Sequence, residues 1–253
     1  MELLLYALIS DLHSNLEAVE AVFEDMAAFP VDAILCLGDV IGYGPNPREV
    51  LEAVRNVDVI LMGNHEEGLL FYAEDFNPKA RQALEWTKDQ LNLPEYPRDE
   101  NYGLWELLDG LPKSERRAGA TLVHGSLRNE TKDYVMPEDI GDADKMGEIW
   151  SALKDRVCFF GHTHIPGVWT EGGRFRRPAE LKDEFVLGEE KVLVNVGSVG
   201  QPRDADPRAS YVLVDGDRVI FRRVKYDYVS TMRKILKTGV LSDTLAARLK
   251  VGR

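Results

Sequence analysis

The amino-acid sequence predicts an α/β fold built on a parallel sheet, and three observations carry that reading. Apolar runs such as Leu3 to Ile9 are nearly unbroken by polar residues, as expected of strands covered on both faces. Segments with apolar residues at helical spacing separate the first three such runs. Residues suited to metal chemistry follow the runs within a few positions, where ligands collect in open α/β sheets.

The elements follow in order. Leu3 to Ile9 reads as the first strand, and a helix over about Asn15 to Ala28 carries the stripe Leu16, Val19, Val22, Phe23 and Met26. Ser14 with Glu17 has capping-box spacing, so Ser14 is read as a helix cap, with a supporting role behind a metal ligand as the alternative. Asp32 to Leu37 is the second strand. The loop Gly42 to Pro47 leads into a helix from Arg48 to Val54, and Val57 to Met62 is the third strand. This βαβαβ order implies parallel strands joined by right-handed crossovers.

Residues 66 to about 112 read as mostly helical, with a helix begun at Asn77-Pro78 and ended by Pro94 and Pro97. Ala120 to Val123 is a strand, Glu138 to Leu153 a helix and Arg156 to Phe160 a strand. Val168 to Thr170, Lys191 to Asn195, Ser210 to Val214 and Arg218 to Val224 make the remainder strand-rich, with a hairpin turn at Asp215-Gly216-Asp217. A last helix starts near Asp227, and the polar end from Leu241 to Arg253 is expected to fray. Without repeats or long linkers, residues 1–253 read as one domain with a helical insert at 66–112 and a helical tail at 227–253.

Composition narrows the function. The chain has 31 basic and 43 acidic residues, a net charge of −12. A binder of long nucleic acid usually shows a basic stripe, and the nearest approach, Arg174 to Arg177, is short. Cys36 and Cys158 lie inside apolar runs and read as buried free thiols, which suits a reducing cytoplasm. The apolar start lacks a basic flank and is too short to span a bilayer, so it reads as a strand rather than a signal peptide or membrane anchor.

All five histidines sit in short motifs: Asp11-Leu12-His13, Gly63-Asn64-His65-Glu66, His124-Gly125 and Gly161-His162-Thr163-His164, with Gly38-Asp39 as a fifth motif without histidine. Imidazole and carboxylate donors together suit borderline-hard divalent ions. The Asp-x-His and His-x-His spacings put alternate side chains on one side of an extended segment. Asp11, Asp39, Asn64, His124 and His162 each follow an expected strand, so the motifs converge on one edge of the fold.

In their order these motifs resemble the calcineurin-like metallophosphoesterase superfamily, and the segment Asn195 to Arg203 is similar to one found in its small bacterial members. The resemblance implies a two-sheet αββα sandwich of metallophosphatase type, with the helical insert over the site. It implies two divalent ions: one held by Asp11, His13, Asp39 and His164, the other by Asp39, Asn64, His124 and His162. Manganese is favoured on resemblance alone, with iron or zinc as alternatives. It further implies hydrolysis of a phosphoric ester by attack of metal-bound hydroxide, with His65 stabilising or protonating the leaving oxygen.

The acidic, compact chain favours a small phosphodiester or nucleotide-type substrate over a long nucleic acid. A phosphomonoesterase or phosphoprotein phosphatase is the alternative within this chemistry, and a metal-binding scaffold the alternative outside it. Arg203 and Arg208 are candidates for phosphate contact, or for surface ion pairs with Asp204 or Asp206. Tyr43 follows Asp39 closely enough to touch substrate or simply to pack. The insert aromatics Phe71, Tyr72, Phe76, Trp86, Tyr96, Tyr102 and Trp105 could stack a nucleobase or form helix core. The residues specify no oligomeric state.

Overall fold

The computed structural model describes residues 4–253 except 72 and 118. Leu3 of the expected first strand and Tyr72 of the insert therefore lie outside the described residues. In chain order the elements begin β1 (Leu5–Ile9), α1 (Leu16–Met26), β2 (Ala33–Cys36), α2 (Pro47–Val54) and β3 (Val59–Ile60). The insert holds α3 (Asn64–Leu70), α4 (Pro78–Leu91) and α5 (Arg98–Asp109). Then come β4 (Ser114–Arg117), β5 (Ala120–Val123), α6 (Ala143–Ala152), β6 (Val157–Phe160), β7 (Gly167–Thr170), β8 (Arg174–Arg176) and β9 (Glu184–Val186). The chain closes with β10 (Val192–Asn195), β11 (Ala209–Asp215), β12 (Arg218–Val224), α7 (Tyr228–Thr238) and α8 (Asp243–Leu249).

The strands form two six-stranded mixed sheets, ordered β3-β2-β1-β11-β12-β9 and β4-β5-β6-β10-β7-β8. β1, β2 and β3 run parallel, as do β5, β6 and β10. Each parallel trio delivers its loops to the same end of its sheet. The sequence pattern explains the layering. In β1, Leu8 faces Phe159, Val168, Val194 and Phe221 in the core between the sheets, while Ala7 and Ile9 face Val19, Val22 and Val50 of the helices outside. On the far side Cys158, Phe160, Trp169 and Leu193 pack on Met146, Ile149 and Trp150 of α6. The result is an αββα sandwich with three apolar layers.

Several expectations are corrected. Ser14 does not cap α1: Asn15 does, its side chain accepting the Ala18 amide at 3.3 Å, because Ser14 sits at φ 52°, with its hydroxyl buried and without a hydrogen-bond partner. Pro97 does not merely close the helix before it; it precedes α5, where its fixed φ and missing donor are tolerated. The helix expected from Glu138 to Leu153 splits at Asp142, whose side chain caps α6 by accepting the Lys145 amide at 3.0 Å. Three strands, β4, β8 and β9, were not anticipated. They are the short, charge-bearing edges of their sheets, where charge blocks further strand pairing and also erases the apolar alternation.

The tail is not frayed. Leu241, Leu245, Ala246 and Leu249 are buried against Ala83 of α4 and Ile235 of α7, and the Gly252 carbonyl accepts the Ala205 amide at 2.8 Å. Both cysteines are buried free thiols, and burial pushes both above their ordinary pKa. Among the described residues no helix is long and apolar enough to cross a membrane.

Candidate metal centre

Seven of the ten non-glycine residues with positive φ among those described lie in the loops that follow the strands: Asp11, His13, Ser14, Asp39, Tyr43, His162 and His164. Left-handed backbone is unfavourable for such residues, costs about 1–3 kcal/mol each, and persists where the surroundings over-determine it. This corrects the reading of Asp11-x-His13 and His162-x-His164 as extended segments. Tight left-handed turns, not a pleat, bring the paired side chains together.

The loops are stitched to one another. Asp11 and His13 donate their amides to the Gly38 and Asp39 carbonyls at 3.0 and 2.9 Å. Gly161 donates to the His124 carbonyl at 3.0 Å, and Val199 and Gly200 donate to Ser10 and Asp11 at 3.0 and 2.9 Å. Asn195 donates through its side-chain amide to the Gly161 carbonyl at 2.6 Å and to the Thr163 hydroxyl at 2.9 Å, which fixes the second histidine loop.

Glu66 is the buried staple of the first. Its carboxylate accepts the amides of Asp39 at 2.9 Å, Ile41 at 3.1 Å and Gly63 at 2.8 Å. Burial and the Asp39 charge push its pKa up to about 7, while the Ile41 and Gly63 donors pull the other way. Gly63 is required beside it, since a Cβ there would stand 2.2 Å from Asp39 Oδ1.

Among the described residues, three groups of buried side chains lie close enough to hold a cation: Asp11, His13 and His164; Asp39, His124 and His162; and His13, Asp39 and His65. Asp39 stands between them, its Oδ2 3.6 Å from His13 Nε2, 3.4 Å from His124 Nε2 and 4.0 Å from His65 Nε2. Asn64 joins the second group, with Oδ1 3.2 Å from His124 Nε2. Asp11 Oδ2 accepts the His162 amide at 3.0 Å, while Oδ1 has no hydrogen-bond donor and lies 3.2 Å from His164 Nε2.

The donor chemistry fits cations. His13 Nδ1 faces the Ile41 carbonyl at 3.1 Å, His124 Nδ1 the Leu37 carbonyl at 2.9 Å, His162 Nε2 the Lys132 carbonyl at 3.2 Å and His164 Nδ1 the Gln201 carbonyl. A carbonyl only accepts, so each of these ring nitrogens carries a proton, and in the neutral ring the opposite nitrogen presents a lone pair. Those second nitrogens meet head-on, His13 Nε2 to His164 Nε2 at 3.2 Å and His124 Nε2 to His162 Nδ1 at 3.1 Å, so that neutral rings would oppose lone pair to lone pair. A cation between each pair would turn repulsion into coordination.

The electrostatics agree. Burial opposes ionisation at Asp11 and Asp39, yet the surrounding imidazoles hold both below the usual carboxylate range. Burial also opposes charge on His124, but Asp39 pushes its pKa up to about 9, while burial and the His124 charge push His162 down to about 3. Burial lowers His13, His65 and His164 as well, His65 to about 4. The pocket thus demands positive charge and has no room for it on most of its rings.

His65 and Asn64 share the first turn of α3 rather than an extended segment, and this turn directs both into the centre. The His65 amide donates to Asp39 Oδ1 at 2.9 Å, and its buried Nδ1 is without a partner. Tyr43 packs on it with ring centroids 4.4 Å apart, and on His13 at 4.6 Å. Phe76 completes the wall at 5.1 Å from His65 and brings the insert to the rim of the site. The other described aromatics of the insert serve elsewhere: Trp86 and Trp105 pack in apolar clusters, Tyr96 lies under Arg48, and Phe71 and Tyr102 are exposed.

Arg208 is held bidentately by Asp206, while Asp204 is taken by Arg223. Arg203 has neither partner and lies with its guanidinium carbon 5.8 Å from the Tyr43 ring. Sequence reasoning missed Lys132 and Tyr134. They sit in the long connection between β5 and α6, where Tyr134 stacks on His162 at 3.9 Å. With Tyr43, Asn64, Phe76 and His162 they line an open cavity of about 510 Å³. A cavity of about 470 Å³ lined by Tyr6, Leu8, Ala120 and Val157 contains none of the candidate ligands.

Comparison with known proteins agrees with this geometry. Residues 4–218 match the calcineurin-like phosphoesterase superfamily domain. The chain is 35% identical to an uncharacterized protein of Methanocaldococcus jannaschii, over 98% of each chain. It is similar to the crystal structure of a metallophosphoesterase from Sphaerobacter thermophilus, with 34% identity, a TM-score of 0.83 and full coverage of both chains. A hypothetical protein from Pyrococcus horikoshii shares the fold at 19% identity and a TM-score of 0.77, over 99% of each chain. With a family model matched along most of its length and the clustered His and Asp donors that metal-dependent phosphoester chemistry needs, the chain belongs to the calcineurin-like phosphoesterase superfamily.

Proposed function

We propose that the chain is a two-ion phosphoric ester hydrolase acting on a small phosphodiester or nucleotide-type substrate in a reducing cytoplasm. The observation that carries this reading is the position of Asp39 between two imidazole pairs whose ring nitrogens face each other. Asp11, His13, Asp39 and His164 would hold one ion, and Asp39, Asn64, His124 and His162 the other. Divalent ions there, manganese favoured, would supply Lewis-acid stabilisation of the phosphoryl oxygens and a water acidified toward neutrality.

The chain's own groups do the rest. The ester enters through the open cavity beside Tyr134 and Phe76, which reaches His162 and Asn64. Backbone carbonyls hold the ligand rings in one tautomer, so nothing has to rotate during turnover. Tyr43 and Phe76 wall His65 on two sides and shield it from water. His65 Nε2 faces the Asp39 side of the site and hands a proton to the leaving oxygen. Its low pKa rises when the negatively charged phosphate arrives beside it. Arg203 stands across the Tyr43 ring as a contact for a phosphate oxygen of the substrate.

The test is metal analysis combined with hydrolysis of p-nitrophenyl phosphate and bis-p-nitrophenyl phosphate by the Mn²⁺-loaded protein. The expected result is about two ions per chain and turnover that is faster on the diester. Preference for the monoester would point to a phosphatase, and bound ions without turnover on either ester to a scaffold. His65→Asn should lower kcat by about 10²–10⁴ while metal content stays unchanged. Loss of metal in that variant would instead make His65 a ligand, as its grouping with His13 and Asp39 permits.

A further inference from the structure

Arg203 and Arg248 face one another across a single acceptor. Arg203 follows β10 by a short loop, and Arg248 lies in α8, nearly two helices beyond the last strand. Both donate to the same oxygen, Gln201 Oε1, at 2.9 and 3.0 Å. Neither forms an ion pair among the described residues. The nearest acids in sequence are already engaged, Asp204 with Arg223 and Asp206 with Arg208. Arg203 Nε is buried with no hydrogen-bond partner.

Two half-buried guanidinium groups sharing one neutral oxygen repel each other, and burial together with the Arg203 charge lowers the Arg248 pKa. Folded chains seldom keep such a pair unless an anion joins it, because a planar donor fork matches an oxyanion better than it matches one amide. The pair adjoins the metal centre. Arg203 is one ring away from His13 and His65, with Tyr43 between. The Gln201 carbonyl accepts from His164, and His13, Tyr43, Gln201 and Leu249 meet beneath α8 around a gap no larger than a water molecule.

We propose that Arg203 and Arg248 cradle a phosphate group other than the one being cleaved, so that the substrate is a phosphoester carrying a second phosphate. The substrate half of this rests on the hydrolase reading above; the anion site itself does not. It also gives the C-terminal helix a function, since α8 is the element that supplies the second arginine.

The first measurement is calorimetric titration of orthophosphate into the full-length protein, both as isolated and after EDTA treatment. In the EDTA-treated sample a saturable site should remain. Arg248→Gln should weaken it about tenfold or more, and Arg248→Lys less, as loss of a charge-assisted hydrogen bond predicts. Arg208→Gln should leave it as it was. Equal affinity in wild type and Arg248→Gln overturns the site.

The second measurement is the ratio of kcat/KM for a nucleoside diphosphate to that for p-nitrophenyl phosphate with Mn²⁺ bound. Arg248→Gln should lower that ratio about tenfold through KM. An unchanged ratio with phosphate binding lost would mean a free-phosphate site and overturn the substrate assignment. If the wild-type protein hydrolyses neither compound nor bis-p-nitrophenyl phosphate, the hydrolase reading fails, while the titration still decides the anion site.

Discussion

Replacing Asp39 with Asn should empty both ion positions at once and cut hydrolysis of p-nitrophenyl esters by about a thousandfold or more, some 4 kcal/mol of transition-state stabilisation. Asp39 Oδ2 lies within 4 Å of three imidazoles, and its Oδ1 anchors the start of α3 through the His65 amide. The amide of Asn would place a donor where the rings present lone pairs. Metal analysis checks the first half: the variant should retain fewer than about half the ions of wild type. A thermal scan checks it independently, because a ligand that binds only the folded chain raises the melting temperature. Mn²⁺ should raise the melting temperature of wild type and leave that of the variant in place. A variant that keeps both ions would show that Asp39 does not bridge.

The second large effect is expected at Glu66, which touches no substrate. Its carboxylate is fully buried and satisfies the amides of Asp39, Ile41 and Gly63 from two different loops. Glu66→Ala leaves three buried donors without an acceptor, each costing about 1–3 kcal/mol. Partial relaxation of the loops should bring the total to about 3–5 kcal/mol, read as a lower urea midpoint at constant slope. Glu66→Gln keeps one acceptor oxygen and should cost roughly half as much. Both variants should also bind Mn²⁺ about 10–100 times more weakly, because Asp39 is no longer held in place. Normal stability with weak metal binding would limit Glu66 to orienting Asp39; the converse would make it a purely structural staple.

How much of this was legible in the sequence depended on burial. β1, β2, β5, β6 and β10 are covered on both faces, so each appears as an apolar run, and each candidate ligand could be placed at a strand end before any coordinates. β4, β8 and β9 were not legible, since Ser114–Arg117 and Arg174–Arg176 carry the charge that protects a sheet edge. The identity of the histidine motifs was readable, but the left-handed turns at Asp11, His13, His162 and His164 were not, because tertiary contacts impose them against local preference. Asn15 displaced Ser14 as the cap for the same reason. Arg248 could not have been found: it stands in a segment whose composition suggests fraying, and its relation to Gln201 exists only after α8 has docked.

Each proposed ion position draws on both sheets of the sandwich, three residues to one at the first and two to two at the second. Asp11, His13, Asp39 and Asn64 follow strands of the first sheet, whereas His124, His162 and His164 follow strands of the second. Ions held there would act as rivets driven through the joint between two halves of the chain. Their binding energy would then oppose separation of the sheets as well as serving chemistry. Amide hydrogen exchange should report it: chelation should speed exchange in β1, β6 and β10 together, as one cooperative opening, and leave the edge strands β8 and β9 little changed.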